Sequence, residues 1–65
     1  MTFDEYKKKV HPGMRVYVEH AGKRVYGIAG NAYGEKSIDY IIQFDIGIIE
    51  VSDSNVHMFH LEELN

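Results

Sequence analysis

The sequence predicts a mostly β fold: a small five-stranded barrel with a short N-terminal helix and a helical turn before the last strand. Three observations carry this. Apolar and polar residues alternate in several short runs between Met14 and Phe59, the period of half-buried strands. Turn-forming residues punctuate these runs at close intervals, as in small all-β architectures. Helical spacing is confined to the two ends. At 65 residues the chain holds one domain at most, read as a helix and linker over 1–12 and a barrel over 13–65.

Residues 2–10 are expected to be helical. Thr2 is a plausible N-cap with Glu5 three residues on, the pattern of a capping box. Phe3, Tyr6 and Val10 form one apolar stripe, and Lys7, Lys8 and Lys9 sit where the helix dipole favours cations. So short a helix is marginal alone, so its stripe must dock on the barrel or on a partner. His11-Pro12-Gly13 ends it.

Met14 to Glu19 alternates, with Met14, Val16 and Val18 on one face and Arg15, Tyr17 and Glu19 on the other. His20-Ala21-Gly22-Lys23 is a tight connection to a second strand, Arg24 to Ala29, in which Gly27 suggests a bulge or a close backbone approach. Gly30 to Ser37 reads as an irregular loop containing Tyr33. Ile38 to Phe44 is the strongest strand, with Ile38, Tyr40, Ile42 and Phe44 inward and Asp39, Ile41 and Gln43 outward. Asp45-Ile46-Gly47 is a hairpin connection in which Gly47 suits a positive φ. Ile48 to Val51 returns as a fourth strand, Ser52 to Asn55 is a helical turn, Val56 to Phe59 a short fifth strand, and His60 to Leu64 a last helical turn.

A domain of this size buries only about 60% of the surface its unfolded chain exposes. Five Tyr and three Phe answer that need, because aromatics bury much area per residue. No cysteine is present, which excludes disulfides and thiolate zinc and suggests a reducing cytoplasm. The polar, charged start has no apolar signal-peptide region, and no apolar run approaches a membrane span. Net charge is −3, unevenly spread. Residues 1–24 carry six basic residues against three acids, whereas 25–65 carry one Lys against seven acids. Overall acidity weighs against strong non-specific nucleic-acid binding.

The segments Gly13-Met14-Arg15-Val16-Tyr17-Val18, Tyr26-Gly27-Ile28 and Tyr40-Ile41-Ile42-Gln43-Phe44-Asp45-Ile46-Gly47 resemble the Tudor and KOW branch of the SH3-like barrels. Ser52 to Val56 is similar to the helical turn before the last strand of those domains. The resemblance covers residues 13–59 and implies an SH3-like barrel. For the Tudor domains that read methylated side chains, it also implies a cation cage in which Tyr26 and Phe44 would be walls and Asp45 a polar partner. Lys23, in the loop where a cage often has an aromatic, would repel such a ligand. A helix followed by five strands also resembles the Sm-like layout, with Gly22 to Ile28 similar to its first motif. Asn31 stands where that motif has an acid, and the second motif is missing around Val56 to Leu61.

No catalytic constellation is expected. His57 and His60 are three apart, but a strand would point them to opposite faces and no cysteine joins them. Ser52, Asp53, Ser54 and His57 are explained by turn chemistry rather than a triad. No phosphate-binding glycine motif is present. No enzyme, metal or cofactor is therefore inferred. The more informative feature is apolar residues at positions that should be wet: Tyr17, Ile41 and Ile48 on outward faces and Ile46 at a hairpin tip. These, with Tyr26, Phe44 and Asp45, are the expected contacts to another protein or a second copy of the chain. The stripe Phe3/Tyr6/Val10 could instead cover part of that surface. The alternative function is nucleic-acid binding through Arg15, Lys23 and Arg24, aided by Lys7 to Lys9, with Tyr17 or Tyr33 stacking on bases.

Overall fold

The computed structural model describes residues 1–33 and 38–62. The helix α1 spans Phe3–Lys9. Its capping box forms as expected: the Glu5 amide donates to Thr2 Oγ1 at 3.2 Å and the Thr2 amide to Glu5 Oε1 at 3.4 Å. The Thr2 backbone hydrogen bond first, and then Lys9, hold the Glu5 carboxyl below its ordinary value. Asp4–Lys7 and Glu5–Lys9 pair along the exposed face at 3.6 Å, a few tenths of a kcal/mol each at most. Seven residues cannot hold a helix on such terms. What holds it is burial of Tyr6 and Val10, which are 1% and 5% exposed. Phe3 and Tyr6 also meet the Tyr40 ring edge-on, at 5.7 and 6.2 Å. The apolar stripe is therefore part of the domain's core.

Five antiparallel strands follow: β1 Arg15–His20, β2 Lys23–Tyr33, β3 Ile38–Phe44, β4 Gly47–Glu50 and β5 His60–Leu61, in the spatial order β4-β3-β2-β1-β5. A 310 turn over Val56–Met58 precedes β5. The mostly β class, the N-terminal helix and the helical turn before the last strand are thus observed. Among the described residues the sheet is open, with β4 and β5 as its two edges.

The longest strand organises the rest. β2 pairs with β1 over Lys23–Ile28 and with β3 over Ile28–Tyr33, so it belongs to two ladders and turns the corner between them. The register passes Val16↔Gly27 and Arg15↔Ile28 without an extra residue. Gly27 is therefore a close approach rather than a bulge. A Cβ there would lie 2.6 Å from Ile42 Cγ2 and 2.9 Å from the Gln43 carbonyl oxygen. Packed around the corner are Val16, Ala29, Ile42, Phe44, Val51, Val56 and Phe59, together with Tyr6 and Val10. Val16 and Ile42 are wholly buried, and among the described residues no polar or charged residue is buried.

Three local expectations are corrected. Gly30 and Asn31, expected in an irregular loop, are strand residues that pair with Ile41 and Tyr40; neighbour pairing overrides their weak strand preference, and residues 34–37 of the expected loop lie outside the described residues. Val56 to Phe59 is not the fifth strand. Val56 and Phe59 are both buried, and their spacing of three fits a 310 turn, where residues i and i+3 eclipse. The fifth strand is His60–Leu61, in place of a helical turn there. The inward position expected of Ile38, the side chain of Tyr33 and the end of the chain from Glu63 lie outside the described residues.

The β1–β2 hairpin turns through Ala21 and Gly22, at φ 51° and 75°. Both residues are left-handed, as a two-residue hairpin turn of matching twist requires. Alanine pays a steric penalty there that Asn or Gly does not. Ala21→Asn is expected to raise stability by about 1 kcal/mol, read as a higher urea midpoint with an unchanged slope.

Candidate binding surfaces

Two surfaces stand out, one on each side of the sheet. The first is apolar. At the hairpin end of the inner face, Val18 and Val25 pair across β1 and β2, and Ile49 pairs with Ile42 across β3 and β4. Ile46 at the β3–β4 tip and Met58 in the 310 turn complete a mouth floored by Phe44. Val25, Ile46, Ile49 and Met58 are 39%, 97%, 40% and 52% exposed. The helix packs on Tyr40 and leaves Ile46 and Ile48 open to solvent.

The second surface is the outer face of β1, β2 and β5. Because the hairpin turn is two residues long, Tyr17 lies opposite Tyr26, with ring centroids 5.5 Å apart. The Arg15 guanidinium lies 4.1 Å over Tyr26, and that of Arg24 lies 4.4 Å over Tyr17. His60, opposite Tyr17 on β5, adds a ring at 5.2 Å. Arg15 also bonds Glu62 at 3.1 Å. The Tyr26 side chain by hydrogen bonding, then Tyr17 electrostatically, raise Arg24 above the ordinary arginine value. A shallow groove beside this face is lined by Lys9, Tyr17, Arg24, Phe59, His60 and Leu61, with no carboxylate in its walls among the described residues.

The residues singled out from the sequence are thus divided. Ile46 and Phe44 belong to the mouth; Phe44 is only 6% exposed and acts as floor rather than as a free contact. Asp45 is exposed beside Ile46. Ile48 is 62% exposed on the opposite face, in a row with Gln43 and Ile28, and Ile41 on that face is half-buried. Tyr17, Tyr26, Arg15 and Arg24 come together. Strand alternation sends Lys23, opposite His20, toward the inner side and away from them. The cage implied for Tyr26, Phe44 and Asp45 is not assembled, because Tyr26 is on the outer face and Phe44 in the core.

No family model, curated protein or solved structure matches this chain.

Val25, Ile49 and Met58 were not singled out by sequence reasoning. Alternation marks Val25 and Ile49 as inward, and inward is ordinarily buried. What exposes them is that the sheet does not close over its own end. Among the described residues no three His, Cys, Asp or Glu side chains gather to hold a metal ion. No helix among them is long and apolar enough to cross a membrane.

Proposed function

We propose that this chain is a small non-enzymatic binding module, and that its ligand is another protein seated at the apolar mouth. The carrying observation is the convergence of Val25, Ile46, Ile49 and Met58, each more than one-third exposed, around a floor of core residues. Scattered surface apolars are ordinary, but contiguous ones mark interaction sites. The strand order, the shared bend in β2 and the 310 turn before β5 support reading the architecture as an SH3-like barrel. The absence of cysteine supports a cytoplasmic setting.

A selection of displayed 12-residue peptides against the folded protein tests this. Enriched peptides are expected to lose at least tenfold in affinity for Ile46→Asp and Ile49→Asp, each verified as folded by circular dichroism. Peptides that bind both variants as well as the parent would remove the mouth from consideration.

The outer face favours a second reading, a single-stranded nucleic acid. Arg24, flat on Tyr17, keeps in-plane N–H donors for phosphate and one π-face for a base, and Arg15 would exchange its Glu62 contact for a second phosphate. Two neutralised phosphates give a log–log salt slope of about −1.4. Affinity for a generic oligonucleotide is then expected to fall about 25-fold over a tenfold rise in salt, and Arg24→Ala should flatten that slope by about half. Fluorescence anisotropy of a labelled oligothymidine reads both; no binding at low salt excludes this reading.

A further inference from the structure

β4 is an edge strand, and the register identifies which of its backbone groups are open. Phe44 faces Gly47 across the two-residue turn, and the Val51 amide donates to the Tyr40 carbonyl at 2.7 Å. Hydrogen-bonded pairs alternate along an antiparallel ladder. Gly47, Ile49 and Val51 therefore bond to β3, while Ile48 and Glu50 direct their groups away from it. The Glu50 carbonyl accepts from Asn55 Nδ2 at 2.8 Å. Among the described residues this leaves the Ile48 N–H and C=O and the Glu50 N–H without a strand partner.

Natural edges are usually blunted by Lys, Pro or a bulge, or covered. β4 reads Gly-Ile-Ile-Glu with all four residues exposed, its ladder to β3 runs without a bulge, and Ile49 on its inner side is a wall of the mouth. A strand laid along β4 would thus carry alternate side chains over the mouth while its backbone met Ile48.

We infer that the mouth takes its ligand as an extended strand added to the open edge of β4, and that this strand alternates apolar residues with Lys or Arg. The inference rests on the mouth being the binding site. Charge complementarity chooses the occupant. Asp45 and Glu50 flank the edge, and the stretch from Ile38 to Glu62 has five acids and no Lys or Arg. The β1–β2 hairpin across the mouth carries His20 and Lys23, but the acids lie on the strand that would accept the ligand. A second copy paired antiparallel through its own β4 would set Asp45 close to the other copy's Glu50, acid against acid, so a basic partner fits better. Strand addition draws affinity from main-chain bonds and specificity from alternate side chains.

The probe is a capped seven-residue peptide alternating Lys with Val and Ile, titrated against the whole chain and followed by amide hydrogen exchange in NMR. At saturation the Ile48 amide is expected to gain at least tenfold protection. N-methylation of the alternate peptide amides that face β4 should weaken binding at least tenfold, and methylation of the intervening ones should not. Replacing every Lys by Glu should also weaken it at least tenfold. No binding of the Lys peptide overturns the inference. Binding that is sensitive to Ile46→Asp and Ile49→Asp but leaves Ile48 unprotected overturns strand addition and spares the mouth. Binding indifferent to both variants sinks the mouth itself. Ile48 protection that rises with protein concentration, without peptide, overturns the inference by giving the edge to a second copy.

Discussion

Gly27→Ala is expected to destabilise the fold by about 3 kcal/mol, a large share of its total stability. A domain of this length is stable by only about 3–10 kcal/mol in total. The added methyl would stand 2.6 Å from Ile42 Cγ2 and 2.9 Å from both Phe44 Cδ1 and the Gln43 carbonyl oxygen. The side chains could shift, but the carbonyl belongs to the backbone of the neighbouring strand and cannot move without disturbing the β2·β3 ladder. Gly30→Ala is the matched control. It lies on the same strand, with its nearest contact at 3.8 Å, and should change stability by no more than about 0.5 kcal/mol. Ile42→Ala, at a wholly buried site, is expected to cost about 3 kcal/mol alone. Combined with Gly27→Ala it should cost less than the two losses together, by about 1 kcal/mol, since one clashing methyl is gone. Urea denaturation of the four proteins closes this cycle. Full additivity would mean that the strands separate rather than repack.

Tyr6 sets the second large effect. It is 1% exposed, and Tyr6→Ala is expected to cost about 3–5 kcal/mol, the range for losing a large buried aromatic. Because Tyr6 is the buried residue of α1, the loss should release the helix. Tyr6→Phe should do the reverse. The Tyr6 hydroxyl is buried and meets no hydrogen-bond partner among the described residues, so removing it should stabilise by about 1 kcal/mol. Burial raises the Tyr6 pKa to about 12, from about 10 in the unfolded chain. A raised folded-state pKa means that the unfolded chain gives up its proton first. The stability present below pH 10 therefore falls as pH climbs toward 12. Thermal melts of the parent should show this alkaline loss and those of Tyr6→Phe should show less of it. Equal losses in both would place the titration elsewhere.

Much of the architecture was legible because two periods do the writing. The three-then-four spacing of Phe3, Tyr6 and Val10 marks the helix and its buried stripe, and alternation through Val16, Ile42 and Phe44 marks the core. Gly27 reads as a site of close approach because a strand interior gains nothing else from glycine. Legibility fails where pairing partners decide. Nothing local tells Gly30 and Asn31 that Ile41 and Tyr40 will lie beside them, and Val56 to Phe59 fits a strand as well as a turn until both ends prove buried. The outer face was partly readable: a two-residue turn at Ala21-Gly22 places Tyr17 against Tyr26. His60 joins them only through β5, which the sequence places elsewhere. The mouth was least readable, since whether an inward residue is buried depends on how far the sheet closes.

The last strand has a consequence for how the molecule forms. Among the described residues β5 is tied to β1 by two pairs, Val16↔Leu61 and Tyr17↔His60, which join distant parts of the chain. The β1–β2 and β3–β4 hairpins are local and can zip early, whereas the β5 pairing must close a loop of about two-thirds of the 65 residues. The Tyr17 platform is thus completed after both hairpins, and a chain cut before His60 would keep most of the core and lack the ring that β5 brings to Tyr17.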